Sequence, residues 1–114
     1  MRALSSAGVP FELVPGVSSA LAAPAAAQMP LTDAEWGTSV AFFSAHIPEA
    51  VPWARLAPPL VDTVVLLMAG RGFKTTLQLA ASEGWPSETP VRSAVYMLCY
   101  LTCSGCMAAC ARHA

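Results

Sequence analysis

The stretch Asp62–Met68, DTVVLLM, constrains the fold of this chain more than any other. Val64, Val65, Leu66 and Leu67 follow one another without the polar alternation of a strand that faces water on one side. Such a run reads as a strand covered on both faces, which requires a layer of structure above it and another below. Gly70 and Gly72 break the run. Phe73, Leu77 and Ala80 then recur at helical spacing, predicting a helix over Phe73–Glu83 with one buried stripe. Gly84 is placed to close that helix, and Pro86 prevents its continuation. Upstream, Ser39–Ser44 (SVAFFS) carries Val40, Phe42 and Phe43 with no charge and reads as a second buried strand. Strands alternating with helices imply an α/β layer architecture.

A strand–turn–helix unit is read over Pro10–Thr32. Phe11, Leu13 and Val14 supply a short strand, Pro15-Gly16 a turn, and Ser18 or Ser19 a cap for a helix made almost wholly of alanine. The N–H groups at such a helix start are free to meet a polar ligand. Thr32-Asp33-Ala34-Glu35 reads as a capping sequence for one short helical turn. Met1–Gly8 has no sustained apolar core of the kind a secretory signal carries, and reads as the end of a helix entering the Phe11–Val14 strand. On that reading the chain is incomplete or starts internally. Trp53, in Pro52–Ala57, is a packing residue, and His46 a loop histidine with no cluster around it.

Composition narrows the function classes. With 55% hydrophobic and 11% charged residues, the chain carries apolar surface meant for burial against something else. A net charge of -1 with six dispersed basic residues argues against nucleic acid as a partner. The seven acidic residues are scattered, and no carboxylate pair or nucleophile–base arrangement is visible.

The literal residues VPGVSSALAAPAAAQMPLT resemble the segment V-P-G-V-[ST]-[SA]-A-x-A-A-P-A-x-A-G-x-P-[LV]-T of uroporphyrinogen-III C-methyltransferases, in the tetrapyrrole methylase superfamily. Gln28 stands where that pattern has glycine. DTVVLLM and the later Gly84–Val91 segment, GWPSETPV, resemble the same family's T-[LV]-V-x-L-M and G-x-P-x-x-T-P-[VA], in the same order. The resemblance covers about residues 4–91. It implies an incomplete tetrapyrrole methylase fold, mainly the C-terminal α/β domain with a mixed sheet, over residues 1–91.

The resemblance further implies S-adenosylmethionine as cosubstrate, held in part by Ser18, Ser19 and Met68. Methyl transfer from a sulfonium to a ring carbon depends on positioning more than on acid–base groups, in keeping with the dispersed acids. It also implies a tetrapyrrole substrate and a homodimer in the full-length family. Arg55 and Arg71 read as surface residues, and a substrate-side role for His46 is the lesser reading. The family's G-x-G-P-G-D and G-D-P-x-x-F-G-R loops do not occur in the 114 residues, so the chain is expected to be inactive alone. The alternatives are a truncated module that dimerises with intact enzyme, a precorrin methylase, or a ribosomal RNA ribose methylase.

Residues 92–114 are read as an unrelated helical tail. Cys99, Cys103, Cys106 and Cys110 would lie along one face of a helix, a poor arrangement for wrapping one metal ion, so no metal site is assigned. The C-x3-C-x2-C spelling of radical S-adenosylmethionine enzymes is rejected, since too little chain follows it. A membrane anchor over Ser93–Ala111 is disfavoured by its serine, threonine and glycine content. Free thiols fit a soluble reducing compartment, cytoplasm or plastid stroma.

Overall fold

The structure, a computed structural model, describes residues 1–35, 37–94 and 98–102. Its centre is β2 (Thr63–Leu67), the strand at the heart of DTVVLLM. Thr63 through Leu66 are fully buried. Alternation of side chains along the strand sends Val64 and Leu66 to one face and Val65 and Leu67 to the other.

On the first face Val64 and Leu66 pack with Val51, Trp53, Leu56, Ala80 and Trp85. These come from two short 3-10 turns, Pro48–Ala50 and Trp53–Arg55, and from helix α3 (Phe73–Ser82) with its closing loop. On the second face Val65 shares a smaller cluster with Ala20 of helix α2 (Ser19–Ala26), flanked by Ala23, Leu31, Val40 and Leu67. Alanines on α2 allow close approach to the sheet. Burial of each large aliphatic side chain of β2 is worth about 1.5–3 kcal/mol. Trp53 is a packing residue, as its sequence setting indicates: it is buried, and its Nε1–H donates to the Pro48 carbonyl at 2.9 Å.

Strand β1 (Val40–Ser44) runs parallel to β2, with Phe42 opposite Val65. A hairpin of β3 (Val91–Ala94) and β4 (Leu98–Thr102) completes the sheet, with β4 antiparallel to β2 and β3 outside it. The order is β1-β2-β4-β3, a mixed sheet as expected.

Four expectations are corrected. Leu98–Thr102, including Cys99, is a strand rather than part of a helical tail. The second edge of β2 carries backbone groups that need partners, and β4 supplies them. Cys103, Cys106 and Cys110 lie outside the described residues. Phe11–Val14 is exposed and forms no strand, while Pro15-Gly16 makes no turn. Thr32–Glu35 is not helical: Asp33 accepts the Glu35 N–H on its own side chain (2.9 Å) and bridges to Gly37 by two backbone hydrogen bonds. Finally, β1 lies at the sheet edge, so Phe42 is exposed rather than buried.

The helix ends share one device. In helix α1 (Arg2–Ser6), α2 and α3 the chain turns out through a residue with positive φ: Gly8 (+64°), Gln28 (+52°) and Gly84 (+101°). In each case the following N–H reaches back to the last full turn, as Val9 to Leu4, Met29 to Pro24 and Trp85 to Ala80. This is the Schellman arrangement, and it favours glycine because a Cβ is strained there. Gln28, the one departure from glycine in the matched alanine-rich segment, therefore sits in a strained position.

At the N-terminal end of the parallel pair, Asp62 ties the two strand entrances together. Its Oδ2 accepts from the Ser39 hydroxyl (2.6 Å) and from the Ser39 and Thr38 N–H groups (both 3.0 Å). Ser39 Oγ in turn accepts the Asp62 N–H at 2.9 Å. The Ser39 hydroxyl, then the Ser39 amide, hold the Asp62 carboxyl below its ordinary value; burial opposes them, and the Thr38 amide adds the smallest lowering effect.

Two outcomes follow from these features. Gln28→Gly is expected to stabilise the chain by about 0.5–1 kcal/mol in urea unfolding, since glycine removes the left-handed cost but frees the unfolded chain. Asp62→Asn is expected to cost about 1–2 kcal/mol at neutral pH, a modest figure because the site is partly solvated. With a lowered folded value, the carboxylate's contribution is present above about pH 4 and is lost as pH falls below that. Unfolding measured from pH 7 to pH 3 should therefore show the wild type and the variant converging at the acid end.

Candidate functional site

Ser18 is the N-cap of α2. Its backbone is extended (φ -80°, ψ 136°), and its side-chain oxygen accepts the Ala20 N–H at 3.2 Å. Its carbonyl takes the Leu21 and Ala22 amides. The capping role read from the sequence is thus assigned to Ser18, and Ser19 becomes the first helical residue. Ser19 is exposed, and its hydroxyl enters no hydrogen bond in the structure. The helix start consequently presents a hydroxyl and an amide to solvent, a setting suited to a carboxylate or another polar group.

Met68 follows β2 directly, at the C-terminal end of the parallel pair. Its backbone is left-handed, φ +60°, and its side chain is 48% exposed. Of the described residues with positive φ, Gly8, Gln28 and Gly84 close helices; Met68 does not. A non-glycine residue held in this region costs of order 1 kcal/mol, and such strain concentrates where the chain must present a group to a ligand. Nothing in the sequence signals it, because methionine is not a turn residue. A half-exposed thioether is a suitable surface for a flat apolar ring.

The helix start and the strand end belong to elements packed on each other through Ala20 and Val65. No hydrogen bond joins Ser18 or Ser19 to Met68, so the structure places them on one packed pair without direct polar contact. In open α/β sheets the region beyond the carboxyl ends of parallel strands is where ligands bind. His46, exposed two residues after β1, lies at that same end, beside the Ala45 N–H that donates to the Leu67 carbonyl at 2.8 Å. Arg55 and Arg71 are exposed, away from the buried core. Asp62 marks the opposite end of the sheet. Among the described residues no group of three or more His, Cys, Asp or Glu could hold a metal ion, and no helix is long and apolar enough to cross a membrane.

A mixed α/β layer with a polar helix start and a strained strand end defines a class when set beside known proteins. Residues 1–100 match the family model of the Tetrapyrrole (Corrin/Porphyrin) Methylases, and the chain belongs to that family. The match continues past Val91 into β4.

Among its relatives is the uroporphyrinogen-III C-methyltransferase of Priestia megaterium, 37% identical over 94 residues, covering 79% of this chain and 39% of that protein. The siroheme synthase of Stutzerimonas stutzeri is 36% identical over 90 residues, covering 76% of this chain and 19% of that one. The crystal structure of uroporphyrin-III-C-methyltransferase from Thermus thermophilus superposes with a TM-score of 0.65 at 30% identity, over 89% of this chain and 55% of that one. The chain thus spans two fifths or less of these two curated relatives.

The two serines should separate in thermodynamic tests. Ser18→Ala is expected to cost about 1 kcal/mol of stability through the lost cap, whereas Ser19→Ala should change it by less than about 0.5 kcal/mol, both read by urea unfolding.

Proposed function

We propose that this chain supplies the α2 start and the β2 end of an S-adenosylmethionine site, in a protein that methylates carbon on uroporphyrinogen III towards precorrin-2. The observation that carries this reading is the left-handed, half-exposed Met68 at the carboxyl end of the central strand, in a chain whose relatives bear the names of that activity. Ser19 offers its hydroxyl and amide to the amino-acid end of the cosubstrate, Ser18 holds the helix start in place, and Met68 packs on the adenine. S-adenosylmethionine, when bound, supplies an electrophilic methyl group to a ring carbon. These residues serve to bind and orient it, and alignment of the reacting atoms is the main catalytic contribution available to such a site.

The chain alone is read as inactive, since it spans less than two thirds of its relatives. A chimera tests the reading: residues 1–100 replace the matched segment of the Priestia megaterium enzyme. S-adenosylmethionine binding by calorimetry and C-methylation of uroporphyrinogen III are expected to be retained. Ser19→Ala and Met68→Ala in the chimera should each weaken binding about tenfold, or about 1.4 kcal/mol. A folded chimera that binds no S-adenosylmethionine, or whose binding ignores both substitutions, would overturn it.

A further inference from the structure

Met68–Gly72 joins β2 to α3, and its two glycines have different surroundings. A Cβ added at Gly70 would meet no atom within 4 Å. A Cβ added at Gly72 would lie 2.6 Å from Pro48 Cγ and 3.4 Å from Pro48 Cδ, and the first of these is closer than real Cβ atoms come. Backbone conformation is not the reason for glycine at this position. Gly72 has φ -102° and ψ 17°, matching Glu83 at φ -102° and ψ 16°. What Gly72 supplies is space, so that a proline ring packs directly on its backbone.

Pro48 has little room to retreat. It is buried, and its carbonyl accepts the Trp53 Nε1–H at 2.9 Å and the Val51 N–H at 3.3 Å. Trp53 and Val51 both belong to the main core. The loop is also anchored on either side of Met68. Before it, the Leu67 carbonyl accepts the Ala45 N–H at 2.8 Å. After it, Ala69 is 1% exposed, and its carbonyl accepts the Gly72 N–H at 3.2 Å. The Gly72 carbonyl then takes the Thr76 N–H at 2.8 Å to begin α3. The chain leaving β1 therefore meets this connection twice, at Leu67 through Ala45 and at Gly72 through Pro48. Met68 lies between the two.

A left-handed methionine persists only where its surroundings leave it no easier conformation. Pro48 and Ala69 are buried, whereas Met68 is strained and half-exposed, so a displacement forced at Gly72 is relieved most readily at Met68. We propose that Gly72 is a positioning residue for the cosubstrate site. Packing of Pro48 on its backbone fixes the Ala69–Gly72 turn, and that turn holds Met68 left-handed at the end of β2. This rests on the reading of Met68 as the residue that packs on adenine, and it deepens that reading by adding Pro48 and Gly72, which act through Met68.

The test pairs Gly72→Ala with Pro48→Ala, which removes the ring carbon facing the new methyl group and keeps the carbonyl that holds Trp53. The full 114-residue chain, isotope-labelled at methionine, reports through the Cα and Cβ chemical shifts of Met68, which follow its backbone angles. No S-adenosylmethionine is present. Each single variant is expected to move these shifts, one by a clash and the other by a gap. The double variant should return them to the wild-type values, and Gly70→Ala should leave them unchanged. In the chimera, Gly72→Ala should weaken S-adenosylmethionine binding about tenfold, Pro48→Ala about threefold, and the two together less than about twofold, by calorimetry. Wild-type Met68 shifts in the folded single variants would overturn the proposal, as would a double variant no closer to wild type than Gly72→Ala. A loss confined to stability in urea, with shifts and affinity unchanged, would also overturn it and leave Gly72 a packing residue. If Gly72→Ala does not fold, Pro48→Ala and the double variant decide by the same readouts. Because the shifts are read without cosubstrate, their failure to move leaves the methyltransferase reading standing. A parent chimera that binds no S-adenosylmethionine removes that reading and leaves the hold of Gly72 on Met68 standing.

Discussion

Everything in this molecule depends on β2 being covered on both faces. Val64 and Leu66 seal one layer against Trp53, Leu56 and Trp85, and Val65 seals the other against Ala20. Two layers on one strand leave water only its ends. The N-terminal end is tied by the Asp62–Ser39 hydrogen bonds, and the C-terminal end runs into the strained backbone of Met68. Structural order at one end and strain at the other is the polarity expected of an α/β sheet that binds its ligand beyond the carboxyl ends of its strands.

The two faces are unequal. The α3 face holds large side chains and an indole hydrogen bond, and it forms the main core. The α2 face is thin: Ala20 and Ala23 on Val65, flanked by the partly buried Leu31, Val40 and Leu67, with Leu21 of α2 exposed. That asymmetry places the apolar excess of the composition. Among the described residues the exposed large apolar side chains are concentrated at the start of the chain, from Met1 to Leu21.

Much of this was legible before any coordinates. The unbroken run Val64–Leu67 announced its own burial, the Phe73–Ala80 spacing announced α3, and Gly84 announced where α3 stops. The match to tetrapyrrole methylases likewise rests on literal residues. Phe11–Val14 shows the limit of that kind of reading. Its pattern reads as a strand, but a strand exists only when another strand pairs with it, and pairing is a property of what lies alongside. Leu98–Thr102 fails in the opposite direction. Its cysteine spacing suits a helix face, yet the open edge of β2 needed hydrogen-bond partners, and this segment supplies them.

The sequence by itself determined β2, α2, α3 with its stop at Gly84, and the family, because these follow from side-chain period, glycine and proline positions, and a matching string of residues. Only the tertiary structure decided that β4 lies between β2 and β3, that Asp62 bridges two strand entrances, and that Ser18 rather than Ser19 caps α2. It also decided that Met68 is left-handed. Each of these depends on which backbone groups are left over once the layers have packed, and that remainder is a property of the assembled sheet rather than of any one stretch of chain.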